Sequence, residues 1–287
     1  MDEKNKKLEI AIIGIGLIGG SMALDLKKRG FASEIIGVDN NPQHANIAML
    51  SKLVDKITSL EDAVLQADLI ILATPIDVVK DLLPKILTLC AGTQKVITDV
   101  GSTKAGLAEQ IAHHPNRAQY VASHPMAGTE FSGPMAAISH LFDYKTAIIC
   151  DREKSSEQAL ELVSQMYEIL HMKVINMNAR EHDVSAAYVS HISHLSSFAL
   201  SLAVLEKEKD EKRILDLAGG GFASTVRLAK SSAEMWVPVF NQNSENVLEV
   251  LDTYIEKLLL FREAIHLKED EKVAALIHES NKIQKIL

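Results

Sequence analysis

Residues 9–19 read EIAIIGIGLIG, a β-branched run that closes on Gly14, Gly16 and Gly19 at G-x-G-x-x-G spacing. A strand must feed a tight turn here and a helix must start at once. Each glycine answers a separate need: the tight turn, close approach of backbone to a pyrophosphate, and close contact between helix and strand. Gly14, Gly16, Leu17, Ile18 and Gly19 are therefore the expected phosphate cradle, with the free N–H groups of the helix start turned to the anion. About twenty residues on, Asp39 ends the next β-branched run, at the offset where a carboxylate accepts hydrogen bonds from the adenosine ribose hydroxyls. No Arg or Lys follows Asp39 immediately to meet a 2′-phosphate, so NAD is expected over NADP.

The alternation continues. Short β-branched runs recur at 34–39, 68–74, 95–100, 119–123, 146–150 and 173–177, separated by amphipathic stretches. Strands buried on both faces read this way, and their alternation with helices predicts a largely parallel sheet with right-handed crossovers. After about residue 178 the apolar spacing turns helical and only AGGGF at 218–222 interrupts it clearly. The expected fold class is α/β, with a Rossmann-like dinucleotide-binding domain over 1–177 and an all-helical domain over 178–287. Helices this apolar are expected to pair with a second copy.

A formal net charge of −8 argues against a nucleic acid or an anionic membrane as partner. Cys90 and Cys150 form no CxxC spacing, so neither a zinc site nor a disulfide framework is expected, and a reducing cytoplasm fits. The basic start and apolar stretch of KNKKLEIAIIGIGLIGGSMALDL imitate a signal peptide, but Asp25 ends the stretch before any small-residue cleavage site. No run of eighteen or more uncharged apolar residues predicts a membrane span.

Ligands of open α/β sheets lie outside the carboxyl ends of the strands. Thr74 and Pro75 close one run, and Pro75 either stops the strand or walls a nicotinamide. His124, in SHPMAGTE, follows another run and so falls on the same rim. Pro125 biases it toward extended geometry. With an ordinary pKa near 6.5, His124 is suited to take the proton of an alcohol while hydride leaves. His191 and His194, three apart, share a helix face. No Cys, Asp or Glu at helical spacing completes a ligand set around them, so no metal is expected and anion binding or orientation of a neighbour is. Arg227, after three glycines, is placed to pair with a carboxylate, whereas Lys230 reads as a solvated face.

In these segments the chain resembles the prephenate dehydrogenases of tyrosine biosynthesis: GIGLIGGS, DVGSTK, SHPMAGTEFSG, YVSHISHLSSFAL and GGGFASTVRLAKSSAEMW stand in the family's order. The resemblance implies conversion of prephenate and NAD to 4-hydroxyphenylpyruvate, carbon dioxide and NADH by a homodimer joined through its helical domain. It implies His124 as the catalytic histidine, Ser102 as its hydroxyl partner and Arg227 as the carboxylate-binding arginine. His194 becomes a substrate-side histidine with His191 close by, and Thr129 and Glu130 fall in the site loop. His191, His194, Arg227 and Lys104 together are expected to form a local positive pocket. Val237 and Pro238 stand where relatives carry a basic residue after MW, so no contact is carried over there. Arogenate dehydrogenase is the alternative that these residues do not separate. A β-hydroxyacid dehydrogenase or imine reductase fits SHPMAGTE less well, and an NAD-sensing regulator would need a DNA-binding element, for which the sequence shows neither a basic helix pair nor a positive domain.

Overall fold

The computed structural model describes residues 8–210 and 213–286. Eight strands form one sheet: β1 (Leu8–Ile13), β2 (Ala32–Val38), β3 (Lys56–Ile57), β4 (Leu69–Leu72), β5 (Val96–Asp99), β6 (Tyr120–Pro125), β7 (Thr146–Cys150) and β8 (Lys173–Met177). Their spatial order is β3-β2-β1-β4-β5-β6-β7-β8. The seven β-branched runs all become strands. The eighth, β3, is a two-residue edge strand whose Lys56 and Ile57 carry no run to recognise.

Pairing is parallel except between β6 and β7. Between Pro125 and Thr146 the chain forms only a short 3₁₀ turn, Pro134–Ala136, so no helix carries it across the sheet and it returns antiparallel. Between β1 and β4 the winding reverses, which opens a crevice at the carboxyl ends of these two strands.

The runs are apolar throughout because both faces are covered. Ile10, Ile12, Leu69 and Ile71 face α1 (Leu17–Lys28) and α6 (Glu157–Ile169), whereas Ala11, Ile13, Ile70 and Leu72 face α3 (Leu60–Gln66) and α4 (Ile76–Leu89). Each such isoleucine or leucine side chain contributes about 1.5–3 kcal/mol by leaving water. The remaining helices on the sheet are α2 (Pro42–Leu50) and α5 (Ala105–Gln110).

After β8 come α7 (Ala179–Ala186), a π turn at Ala187–His191, and α8 (Ile192–Asp210), then α9 (Gly220–Thr225) and α10 (Ala233–Gln242). The glycines of AGGGF start α9 rather than only breaking the chain, with Gly219 as its N-cap. Residues 179–209 make one continuous helix that by length and composition could cross a membrane. A count of unbroken apolar residues passes over it because Ser and His interrupt the run without adding charge. This helix carries the buried His182, Asp183 and His191.

Residues up to Asn243 form one compact unit and Ser244–Leu287 a second. The second unit is a helical hairpin of α11 (Ser244–His266) and α12 (Asp270–Ser280), turned at Lys268 with φ 54°. Leu248, Tyr254, Ile255, Leu258 and Leu259 of α11 are exposed.

Candidate active site

The glycine loop follows β1 into α1 at the reversal of winding. Gly14 has φ +93°, and a Cβ there would meet the Ala73 carbonyl oxygen at 2.7 Å. A Cβ on Gly19 would lie 2.1 Å from the Gly14 carbonyl oxygen, so the third glycine is dictated by packing alone. Gly16 differs: a Cβ would meet no protein atom within 4 Å, and its φ of −89° suits any residue. Nothing among the described residues calls for glycine there, and close approach of a ligand would account for it. Leu17 and Ile18 begin α1, part-buried.

Asp39 sits just past β2 and closes the loop from the other side. Its Oδ2 accepts the Ile15 N–H at 3.0 Å and its Oδ1 the Asn41 N–H at 2.9 Å. Thr74 lies across the crevice with its hydroxyl buried and unpartnered, and Pro75 is the exposed N-cap of α4. The open cradle at Gly16, the anchored carboxylate and the unpartnered hydroxyl fit a dinucleotide.

His124 stands within β6 rather than after it, only 8% exposed. Its Nδ1 lies 2.8 Å from His182 Nε2, and His182 Nδ1 lies 2.8 Å from Asp183 Oδ1. Asp183 is held in turn by the backbone N–H of Lys104 on Oδ1 and of Ala105 on Oδ2, each at 2.8 Å. Burial, then His182, Lys104 and His191, hold the His124 imidazole well below its ordinary pKa, so it is neutral at pH 7. A neutral imidazole on the rim is a proton acceptor in its resting state.

Arg227, in a 3₁₀ turn after α9, is half exposed, and its Nη1 donates to Glu130 Oε2 at 3.1 Å. Glu130 is held below its ordinary pKa by its own backbone N–H and then by Arg227. Ser102 lies part-buried in the β5–α5 loop, and Thr129 Oγ1 accepts the Phe131 N–H at 3.3 Å.

With this geometry in view, the likeness to known proteins is decisive. A sequence model of the prephenate dehydrogenase nucleotide-binding domain matches residues 22–176, and one of the prephenate dehydrogenase dimerization domain matches residues 178–279. The chain belongs to the prephenate dehydrogenase family. The prephenate dehydrogenase of Lactococcus lactis subsp. cremoris is 33% identical over 282 residues, covering 97% of this chain and 77% of its own. The structure of A. aeolicus prephenate dehydrogenase in complex with hydroxyphenyl propionate and NAD+ is 28% identical, with a TM-score of 0.84 over 98% of both chains. That of Synechocystis arogenate dehydrogenase is 27% identical, with a TM-score of 0.75 over 96% of this chain and 99% of that one.

One expectation about this prephenate dehydrogenase family member is corrected by its electrostatics. Lys104 adds nothing to a positive pocket: it is wholly buried against Asp99, whose Oδ1 also accepts the Tyr120 O–H at 2.5 Å. His191 is fully buried and its pKa is pushed down to about 4 by burial. Its Nδ1 lies 3.2 Å from Asn243 Nδ2, which also donates to the Asp183 carbonyl at 2.7 Å. With Nδ1 accepting, Nε2 carries the proton, and it has no partner among the described residues. His194 is likewise lowered by burial; it stacks on Trp236 with centroids 3.6 Å apart, and its Nδ1 bonds the Ser190 carbonyl at 3.1 Å. Both histidines are neutral at pH 7, which leaves Arg227 as the charged member of the expected set.

His182, Asp183, Trp236 and Asn243 escaped the sequence reading. The available signal was the adjacent His182 and Asp183 in REHDVSAAY, an acid beside a base at the start of an apolar helix.

Proposed function

We propose that this chain oxidises and decarboxylates prephenate with NAD, giving 4-hydroxyphenylpyruvate, within tyrosine biosynthesis. The observation that carries the reading is a buried His124 on the same sheet rim as the glycine loop, with Arg227 and Glu130 joined in the first compact unit. NAD, held by Gly14, Gly16, Leu17, Ile18, Gly19, Asp39, Thr74 and Pro75, supplies the hydride acceptor. Residues 1–177 hold this cofactor, and residues 178–287 supply substrate contacts and the face for a second copy. Exposed apolar residues on α11 support a homodimer. The reading has no place for nucleic acid, membrane or metal, and it locates the enzyme in the cytoplasm.

His124 takes the proton of the ring alcohol, with Ser102 positioning that hydroxyl. Loss of the ring carboxylate as carbon dioxide then makes the ring aromatic, and His124 returns the proton to the phenolic oxygen. The overall step releases no proton, so the base needs only to borrow one. Arg227 binds a substrate carboxylate through the N–H groups that Glu130 leaves free. His194, His191, Thr129 and Glu130 bound the rest of the substrate space. Proximity and orientation carry much of the rate, because aromatisation supplies the driving force.

Following NADH absorbance on addition of prephenate, with arogenate in competition, tests the reading. Formation of NADH and 4-hydroxyphenylpyruvate is expected; silence with both substrates would end it, and preference for arogenate would move it to that substrate.

A further inference from the structure

We propose that His182 is a positioning residue which, backed by Asp183, fixes His124 in the tautomer protonated at Nδ1 and supports the imidazolium formed when Nε2 takes the substrate proton. The inference deepens, and rests on, the assignment of His124 as the base.

Hydrogen-bond logic sets the direction of the chain of groups. Asp183 only accepts: each oxygen already receives a backbone N–H, and Oδ1 also faces His182 Nδ1 at 2.8 Å. His182 Nδ1 must therefore carry a proton, and its Nε2 is assigned as the acceptor. In that arrangement His124 Nδ1, 2.8 Å away, donates to it. One nitrogen of His124 remains, Nε2, with its lone pair free and no partner among the described residues. The two rings cross at 69° with centroids 5.0 Å apart, an edge-on arrangement that suits an N–H···N bond and not a stack.

The second ring is rigidly placed. His182 is fully buried in α7, whose start is capped by the Asn178 side chain accepting the Glu181 N–H at 2.8 Å. Asp183 is pinned from outside its helix by Lys104 N–H, Ala105 N–H and, at its carbonyl, Asn243. Burying a histidine beside a carboxylate is costly unless every polar atom is satisfied, and here each one is.

The same carboxylate also fastens the β5–α5 loop that carries Ser102. One residue thus sets both the base and the loop of its hydroxyl partner. Charge on His182, Lys104 or His191, the titratable groups facing His124, opposes its protonation, so His182 serves as an acceptor and not as a cation, and Lys104 is already neutralised by Asp99. Asp183, reached through His182, is the anion left to support a transient imidazolium.

The test uses the intact chain. In ¹⁵N-labelled protein at neutral pH, the His124 ring, assigned by its loss in His124→Asn, is expected as the Nδ1–H tautomer. An Nε2–H tautomer would overturn the proposal, whether or not prephenate is turned over. In kinetics, His182→Leu is expected to lower kcat by about 10²–10⁴-fold with KM for prephenate little changed. His182→Gln keeps an amide oxygen to accept from Nδ1 and is expected to recover a large part of that loss. Wild-type kcat in His182→Leu, or no difference between the Leu and Gln variants, would overturn it. If the unmodified chain forms no NADH from prephenate, the functional reading fails by itself, and the tautomer measurement still decides the role of His182.

Discussion

Arg227 Nη1 lies 3.1 Å from Glu130 Oε2, joining two residues 97 positions apart that were both expected at the substrate. Glu130 occupies one edge of the guanidinium and leaves the others for an incoming carboxylate. Arg227→Ala should raise KM for prephenate about 10–100-fold, the loss of hydrogen bonds to a charged group at roughly 1.5–3 kcal/mol, with kcat much less affected. Steady-state kinetics check this, and an unchanged KM would remove Arg227 from the site. Lys in its place should recover little, because an ammonium cannot serve Glu130 and a substrate carboxylate with the same planar fork.

His124→Asn should lower kcat by about 10²–10⁴-fold. Because burial and the neighbouring cations and rings hold the His124 pKa well below 6.5, the working, neutral form persists as pH falls. The acid limb of kcat/KM should therefore lie below pH 6.5 and not at it. A deuterated substrate tells whether hydride transfer limits turnover. Near-normal kcat in the variant under that condition would remove the base assignment.

Gly16 and Gly19 should fail in different ways. Gly19→Ala drives a Cβ against the Gly14 carbonyl oxygen at 2.1 Å and should destabilise the fold by about 1–3 kcal/mol. Gly16→Ala meets no protein atom within 4 Å. It should leave the melting temperature almost unchanged while weakening NAD binding. Thermal unfolding beside an NAD titration separates the two, and tight NAD binding by Gly16→Ala would dismiss the pyrophosphate reading of that position.

Asp39→Ala should raise KM for NAD about 10–100-fold, since it removes a charged acceptor. Part of that loss comes through the glycine loop, because Asp39 also accepts the Ile15 N–H. The unmodified chain should prefer NAD to NADP; equal or faster turnover with NADP would contradict the role given to this carboxylate.

Acid should weaken the fold through His191. Its folded pKa of about 4 lies below the ordinary 6.5, so between those values the unfolded chain binds more protons than the folded one. Stability from this group is full above pH 6.5 and falls as pH drops toward 4. Melting temperatures across that range should fall less steeply in His191→Gln than in the parent chain, and identical slopes would contradict the burial argument.

Much of this was legible in the sequence because it depends on local rules. The glycine spacing, the continuous apolar runs and Asp39 each follow from one segment and its immediate geometry. His124 could be placed on the rim because Pro125 and the preceding run fix its backbone. What stayed hidden depends on contacts between distant segments. His182 lies 58 residues from His124, and nothing in either segment announces the pair. Lys104 looked like a pocket cation because its ion pair with Asp99, five residues earlier, forms only when the loop folds back into the core. The neutrality of His191 and His194 arises from burial, which periodicity suggested without giving its electrostatic result. The edge strand β3 is too short for any periodicity to mark.

The π turn at Ala187–His191 has a geometric consequence of its own. A wide turn accommodates one residue beyond the α-helical repeat, and each residue advances about 100° around the axis. Asn243 spans that offset, touching the Asp183 carbonyl before the turn and His191 at its last position. Removing Val189 from the bulge would keep every residue assigned to the site and throw the downstream ones out of phase, so at this point spacing itself carries chemistry.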